Sequence, residues 1–286
     1  MTQQQRMVDL AGDVSAPAVG QGTWFMGEDH SQRAAEVRAL QMGLDLGMTL
    51  IDTAEMYGEG GAEEVVGSAI AGRRDEVTLV SKVYPHNAGN PAAKRSCERS
   101  LQRLGTDYLD VYLLHWRGSV PLEETVEVLE ELRHSGKIRR WGVSNLDVDE
   151  MRELWSVPGG VGCVTNQVLY HLGSRGIEYD LLPWCREHGV PVMAYAPLGH
   201  GGAAKRQVLE NPTLVEIASG HGVSPAQVAL AWTIRERDVL AIPKAVSEQH
   251  VRDNAAALRL RLTEAELAQL DAAFPPPQRR QPLDII

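Results

Sequence analysis

Eight short apolar runs punctuate this chain at a near-regular interval, and that repeat restricts its fold more than anything else in the sequence. The runs are GQGTWF at 20–25, TLIDTA at 49–54, VTLVSKVY at 77–84, YLDVYLLHW at 108–116, IRRWGVSN at 138–145, CVTNQVLYH at 163–171, VPVMAYAPLG at 190–199 and DVLAIPKA at 238–245. Most begin 24 to 31 residues after the last, with helix-period segments between them. In PLEETVEVLEELRHSGK, Leu122, Val126, Leu129 and Leu132 share a face and Gly136 stops the helix. SPAQVALAWTIRE opens with Ser224 as N-cap and Pro225 in the first turn. Such alternation requires parallel strands joined by helical crossovers. Strands this continuously apolar are buried on both faces.

Eight units predict a closed (β/α)8 TIM barrel rather than an open sheet, with residues 1–286 forming one domain. Barrels of this class run to ~250 residues, so the length leaves room for additions. The longer interval between the seventh and eighth runs is expected to hold two helices. The first 18 residues are expected to form a hairpin or cap below the barrel. Pro275–Pro277 mark a short non-helical tail after the last helix, TEAELAQLDAAF, which would leave the outer wall of any pocket open.

Composition narrows the partners. A formal net charge of −10 without a basic block argues against nucleic acid or an anionic membrane. Cys97, Cys163 and Cys185 are odd in number, far apart and form no CxxC, so they read as reduced thiols, with no disulfide framework or metal cage. The N-terminus has no apolar run of signal-peptide length, and no segment could span a bilayer. The expectation is a soluble cytoplasmic protein.

Polar residues interrupt the apolar pattern at three neighbouring strand ends. Asp52 ends the second run, Lys82 stands near the end of the third and His115 follows the fourth. Adjacent strands lie ~4.8 Å apart, so these side chains should meet at the C-terminal mouth, where barrel enzymes hold their chemistry. Tyr57, on the glycine-rich loop leaving the second run, can fold back over them. Taken singly, each has a bland reading: a loop anchor, a solvated lysine, a core histidine. Together they form a poised acid. A phenol ionises near ~10, an adjacent ammonium should lower that value, Asp52 would keep Lys82 charged, and His115 can orient a substrate oxygen. That set protonates an oxygen as charge develops on it, as carbonyl reduction requires. No side chain supplies hydride, so a nicotinamide cofactor is required.

IDTAEMYG, LVSKVY, YLDVYLLHW, WGVSN, TNQVLYH, AYAPLG and IPKAVSEQHVRDN, in order along the whole chain, resemble the successive signatures of the aldo-keto reductases, closest to the bacterial group that includes methylglyoxal reductases. The resemblance implies that Asp52, Tyr57, Lys82 and His115 form the family tetrad with Tyr57 as proton donor. It also implies NADPH lying extended across the barrel mouth without a Rossmann fold. Consistent with that, GQGTWFMG is not GxGxxG and opens no helix. By the same resemblance, Ser144, Asn145 and Gln167 would bind the nicotinamide carboxamide and Tyr195 would stack on the ring. Ala196, Pro197, Leu198 and Gly199, with Gly22 and Thr23, would line the cofactor groove. Lys244, Ala245, Ser247, His250 and Asn254 would hold the adenosine end.

That last segment departs from the family pattern. Ala245 stands where serine is frequent and His250 where arginine is frequent. A histidine is only partly charged near neutrality, so NADP(H) should still be preferred, with NADH weaker, but with an affinity that depends on pH. Trp24, Tyr84 and Trp116 match positions lining the family's carbonyl pocket and suggest small aldehydes, ketoaldehydes such as methylglyoxal, or aryl aldehydes. By resemblance the chain is a monomer. Two other readings compete: a Schiff-base aldolase using Lys82, and a non-catalytic NADP(H)-binding regulatory subunit.

Overall fold

Each of the eight runs becomes a strand. The computed structural model describes residues 6–10 and 14–286. Strands β1 (Met7–Asp9) and β2 (Ser15–Pro17) pair as an antiparallel hairpin. Eight more follow: β3 (Gln21–Gly22), β4 (Leu50–Asp52), β5 (Thr78–Val83), β6 (Leu109–Leu114), β7 (Ile138–Ser144), β8 (Cys163–Leu169), β9 (Val192–Tyr195) and β10 (Val239–Ala241). They form one sheet in chain order, each parallel to the next. The ends of the sheet meet where Gly20 N–H donates to Ala241 O at 2.8 Å and Ala241 N–H to Ala18 O at 2.8 Å. That closes the (β/α)8 barrel.

Alternation along these strands sorts the core into two layers. Ile51, Leu79, Val83, Tyr112, Leu114 and Val143 pack outward against helices such as Leu122–His134. Leu50, Val80, Val111, Leu113, Met193 and Leu240 fill the barrel interior, together with Val8 and Leu10 of the hairpin. The expected N-terminal hairpin is therefore a plug at the end where the strands begin. Because side chains alternate with a period of two, Asp52 follows Leu50 inward, Lys82 follows Val80, and His115 continues the row of Val111 and Leu113. The fold thus places the polar cluster on the inner face, at the end opposite the plug.

Two expectations need correction. The interval before β10 holds three helices, Gly202–Leu209, Pro212–His221 and Pro225–Thr233, where two were expected. The first of these has no side-chain N-cap and buries Val208 alone among its large side chains, so it carries no periodic apolar stripe. The C-terminal tail, expected to leave the pocket open, instead folds back. Arg280 bridges Asp149 (2.7 Å) and Asp180 (3.1 Å), Ser174 Oγ donates to Asp284 Oδ2 at 2.6 Å, and Ile285 and Ile286 line the cavity at the mouth. Among the described residues, no helix is long and apolar enough to cross a membrane.

Candidate active site

A cavity of about 710 Å³ opens at the C-terminal mouth. At its floor Lys82, fully buried, donates from Nζ to Asp52 Oδ2 (2.7 Å), Thr53 O (2.9 Å) and Tyr57 Oη (3.2 Å). Gln167 Nε2 donates to the other oxygen of Asp52 at 2.7 Å. The His115 ring meets the Tyr57 ring edge-on at 5.7 Å, and its backbone N–H is fixed to Val83 O at 3.0 Å. Tyr57 reaches this position through a tight turn in which Gly58 and Gly60 have φ of 56° and 94°. These are left-handed values that glycine adopts at little cost.

Burial dominates the electrostatics. It would pull the Lys82 ammonium down, but the Asp52 carboxylate and the Tyr57 oxygen outweigh it and hold Lys82 above its ordinary value. For Tyr57 the expected lowering does not occur. Burial pushes the phenol up, Lys82 opposes it, and Asp52 reinforces it, leaving a net rise. The resting group is therefore a neutral phenol that already touches an ammonium. Burial, with Lys82 adding to it, pushes the His115 imidazole down to about 2, so this ring is neutral across the physiological range.

The depressed histidine has a consequence for stability. Below its ordinary value of 6.5 the unfolded chain takes up a proton that folded His115 refuses. Its contribution is therefore complete above that pH and is lost as pH falls toward about 2. From pH 6 to pH 5, unfolding free energy should fall about 1 kcal/mol more in the wild type than in H115Q. Equal slopes in urea titrations at the two pH values would refute the assignment.

The other expected positions divide. Gly22, Thr23, Ser144, Asn145, Gln167, Tyr195, Ala196, Pro197, Leu198, Gly199 and Lys244 all line the cavity, as do Trp24 and Trp116. Gly22 lies so close to the last strand that a Cβ there would come within 2.6 Å of Ile242 O. Asn145, at a left-handed φ of 58°, donates to His115 O (3.2 Å) and accepts from Tyr195 Oη (2.9 Å), while Ser144 Oγ donates to Gln167 O (2.8 Å).

Tyr84 does not line the cavity. Its N–H donates to Glu55 Oε1 at 2.9 Å, which turns the chain out after β5, and its ring packs edge-on behind Trp116 at 5.9 Å. Ala245, Ser247, His250 and Asn254 also lie outside it. Ser247 caps the helix Glu248–Ala257 through the His250 N–H, and Asn254 is buried on that helix.

Several lining residues escaped sequence reasoning. Phe25 (φ 68°) and His200 each stack on Trp24 with ring centroids 4.6 Å apart and lie parallel to one another at 6.1 Å, tying the 196–201 loop to the first βα loop. Lys205, the first cation after AYAPLG, had a legible signal; Arg117, Ile285 and Ile286 had none.

The donor set fits an extended dinucleotide. Amide and hydroxyl groups gather around Gln167 and Asn145, with the cations Lys205 and Lys244 also on the cavity wall. Comparison with known proteins agrees. Residues 18–274 match the model of the Aldo/keto reductase family. The methylglyoxal reductase YeaE of Escherichia coli is 60% identical over 283 residues, 99% of this chain and 100% of that protein. A glyoxal reductase of Bacillus subtilis is 34% identical, covering 93% of this chain and 91% of its own. The crystal structure of an aldo/keto reductase from Klebsiella pneumoniae, in complex with NADP and acetate, superposes with a TM-score of 0.97 at 57% identity, covering 99% of this chain and 100% of that one.

Proposed function

The chain belongs to the aldo/keto reductase family, and from that premise we propose that it reduces small aldehydes and ketoaldehydes, methylglyoxal and aryl aldehydes among them, to alcohols at the expense of NADPH. Bound at the mouth, NADPH supplies the hydride. Ser144, Asn145 and Gln167 are the groups suited to its carboxamide, Tyr195 to its ring, and the Leu198–Gly199 main chain with Lys205 to its pyrophosphate. Lys244 and Ser247 suit the 2′-phosphate.

Everything else is done by the side chains of the floor. Tyr57 gives its proton to the carbonyl oxygen as negative charge develops there. Lys82, 3.2 Å from Tyr57 Oη, stabilises the phenolate left behind, and Asp52 keeps that lysine charged. Neutral His115 orients the oxygen. One observation carries this reading: a buried ammonium shared between a carboxylate and a phenol that both line the cavity.

The same features support a cytoplasmic monomer. The three thiols are unpaired and buried, as a reducing compartment allows. Of the large exposed apolar side chains, Phe25, Met56, Ile285 and Ile286 belong to the cavity rim, and the rest are widely separated in sequence.

Following NADPH absorbance with methylglyoxal and a nitrobenzaldehyde should show turnover of both. NADPH binding without oxidation by any carbonyl would favour a regulatory subunit, and borohydride trapping of a carbonyl on Lys82 would favour an aldolase. Binding titrations should show NADPH held more tightly by H250R than by the wild type, because arginine offers a permanent, bidentate charge to a phosphate. Equal affinities would remove His250 from the site.

A further inference from the structure

A buried carboxylate behind the floor takes no part in the chemistry, yet it touches the segments that carry it. Glu55 stands two residues before Tyr57 and does not line the cavity. Its Oε1 accepts from the Tyr84 N–H at 2.9 Å and from Asn87 Nδ2 at 3.2 Å, and its Oε2 accepts from Ser96 Oγ at 2.8 Å. Arg99 lies 3.6 Å from that second oxygen and donates to Ser96 Oγ at 2.8 Å. Tyr84 stands two residues beyond Lys82, and Ser96 and Arg99 belong to the helix Ala92–Leu104. One side chain therefore ties the loop that presents the phenol to the segment leaving the strand that presents the ammonium, and ties both to a helix.

The contact it spans has little slack. Lys82 Nζ lies 3.2 Å from Tyr57 Oη, already at the long limit of the ~2.7–3.2 Å range for such a bond. A slip of about half an ångström would break it. The loop is also strained, because Glu59, just past Tyr57, holds a left-handed φ of 53°. A non-glycine residue keeps that conformation only where its surroundings impose it. Anchors stand on either side of Ala54, whose carbonyl accepts the Tyr57 N–H at 3.1 Å. Lys82 Nζ holds Thr53 O at 2.9 Å before it, and Glu55 holds the Tyr84 N–H after it.

We propose that Glu55 is a positioning residue for proton transfer, one that meets neither substrate nor cofactor but sets the distance from Tyr57 Oη to Lys82 Nζ. This rests on the reductase reading, with Tyr57 as the acid, and adds to it a residue outside the floor. The test measures kcat for methylglyoxal reduction per NADPH-binding site, which discounts misfolded molecules. E55A should lose roughly 10- to 100-fold in kcat with NADPH affinity unchanged, because a misplacement of ~1 Å is enough for such a loss. The solvent deuterium isotope effect on kcat should rise as proton transfer becomes limiting. E55Q keeps an acceptor for the Tyr84 N–H and offers a donor to Ser96 Oγ, so it should stay within about 3-fold of wild type. In a Y57F background E55A should cost no more than about 2-fold further, since a group that acts through Tyr57 has nothing left to act on. A kcat per site within about 2-fold of wild type in E55A, or the same fractional loss in both backgrounds, overturns the proposal. Should E55A fail to fold, E55D, one methylene shorter with its charge intact, takes its place and faces the same outcomes. Undiminished turnover in Y57F, or no NADPH oxidation by the wild type, would instead strike the reductase reading itself.

Discussion

Phenylalanine at position 57 is expected to lower kcat for aldehyde reduction by between ~10²- and 10⁴-fold, the range associated with a positioned proton donor. The fold should hardly notice. Tyr57 Oη accepts one hydrogen bond, from Lys82, and that lysine keeps Asp52 at 2.7 Å and Thr53 O at 2.9 Å. Ring contacts with His115 and Trp24 survive in the variant. NADPH binding should therefore persist, and fluorescence titration together with single-turnover kinetics separates the two effects. Turnover undiminished in the variant would move the acid to another group.

The second large effect is on stability, and its size depends on how many charges are removed. Lys82 and Asp52 are 0% and 2% exposed. D52N leaves the shape of the site but strips the buried ammonium of its counter-charge, an operation that costs about 3–5 kcal/mol. Removing both charges together, as in D52L/K82M, should recover most of that loss, because no uncompensated ion remains and two desolvation penalties disappear. Both variants should be inactive. Urea or guanidinium unfolding distinguishes them, and a D52N loss no greater than the ~1 kcal/mol of an exposed pair would mean that the charges are not coupled as described.

What the sequence revealed and what it hid divide along physical lines. The strands were legible because burial on both faces forces uninterrupted apolar runs, and the meeting of Asp52, Lys82 and His115 at the mouth followed from their places at three neighbouring strand ends. Quantities that depend on three-dimensional burial were not legible. The direction of the Tyr57 shift is set by desolvation, which no spacing encodes. Helix Gly202–Leu209 has neither a cap nor a stripe to announce it. Tyr84 is adjacent to the strand that carries Lys82, yet a hydrogen bond to Glu55 from a different loop turns it away. Arg117, Ile285 and Ile286 meet in one cavity from distant parts of the chain, and only closure of the barrel brings them together.

The separation of inner strand positions from loop positions also bears on how such a protein can change. The charged pair of the floor, Asp52 and Lys82, stands on β4 and β5, where the side chains below it are the barrel's own packing. The cavity walls formed by Trp24, Arg117, His200 and the terminal isoleucines stand on loops and the tail. Substitutions in the walls leave the floor's supports in place, so the choice of substrate can drift freely while the proton-transfer machinery stays fixed. Two relatives can thus share a reaction and have no substrate in common.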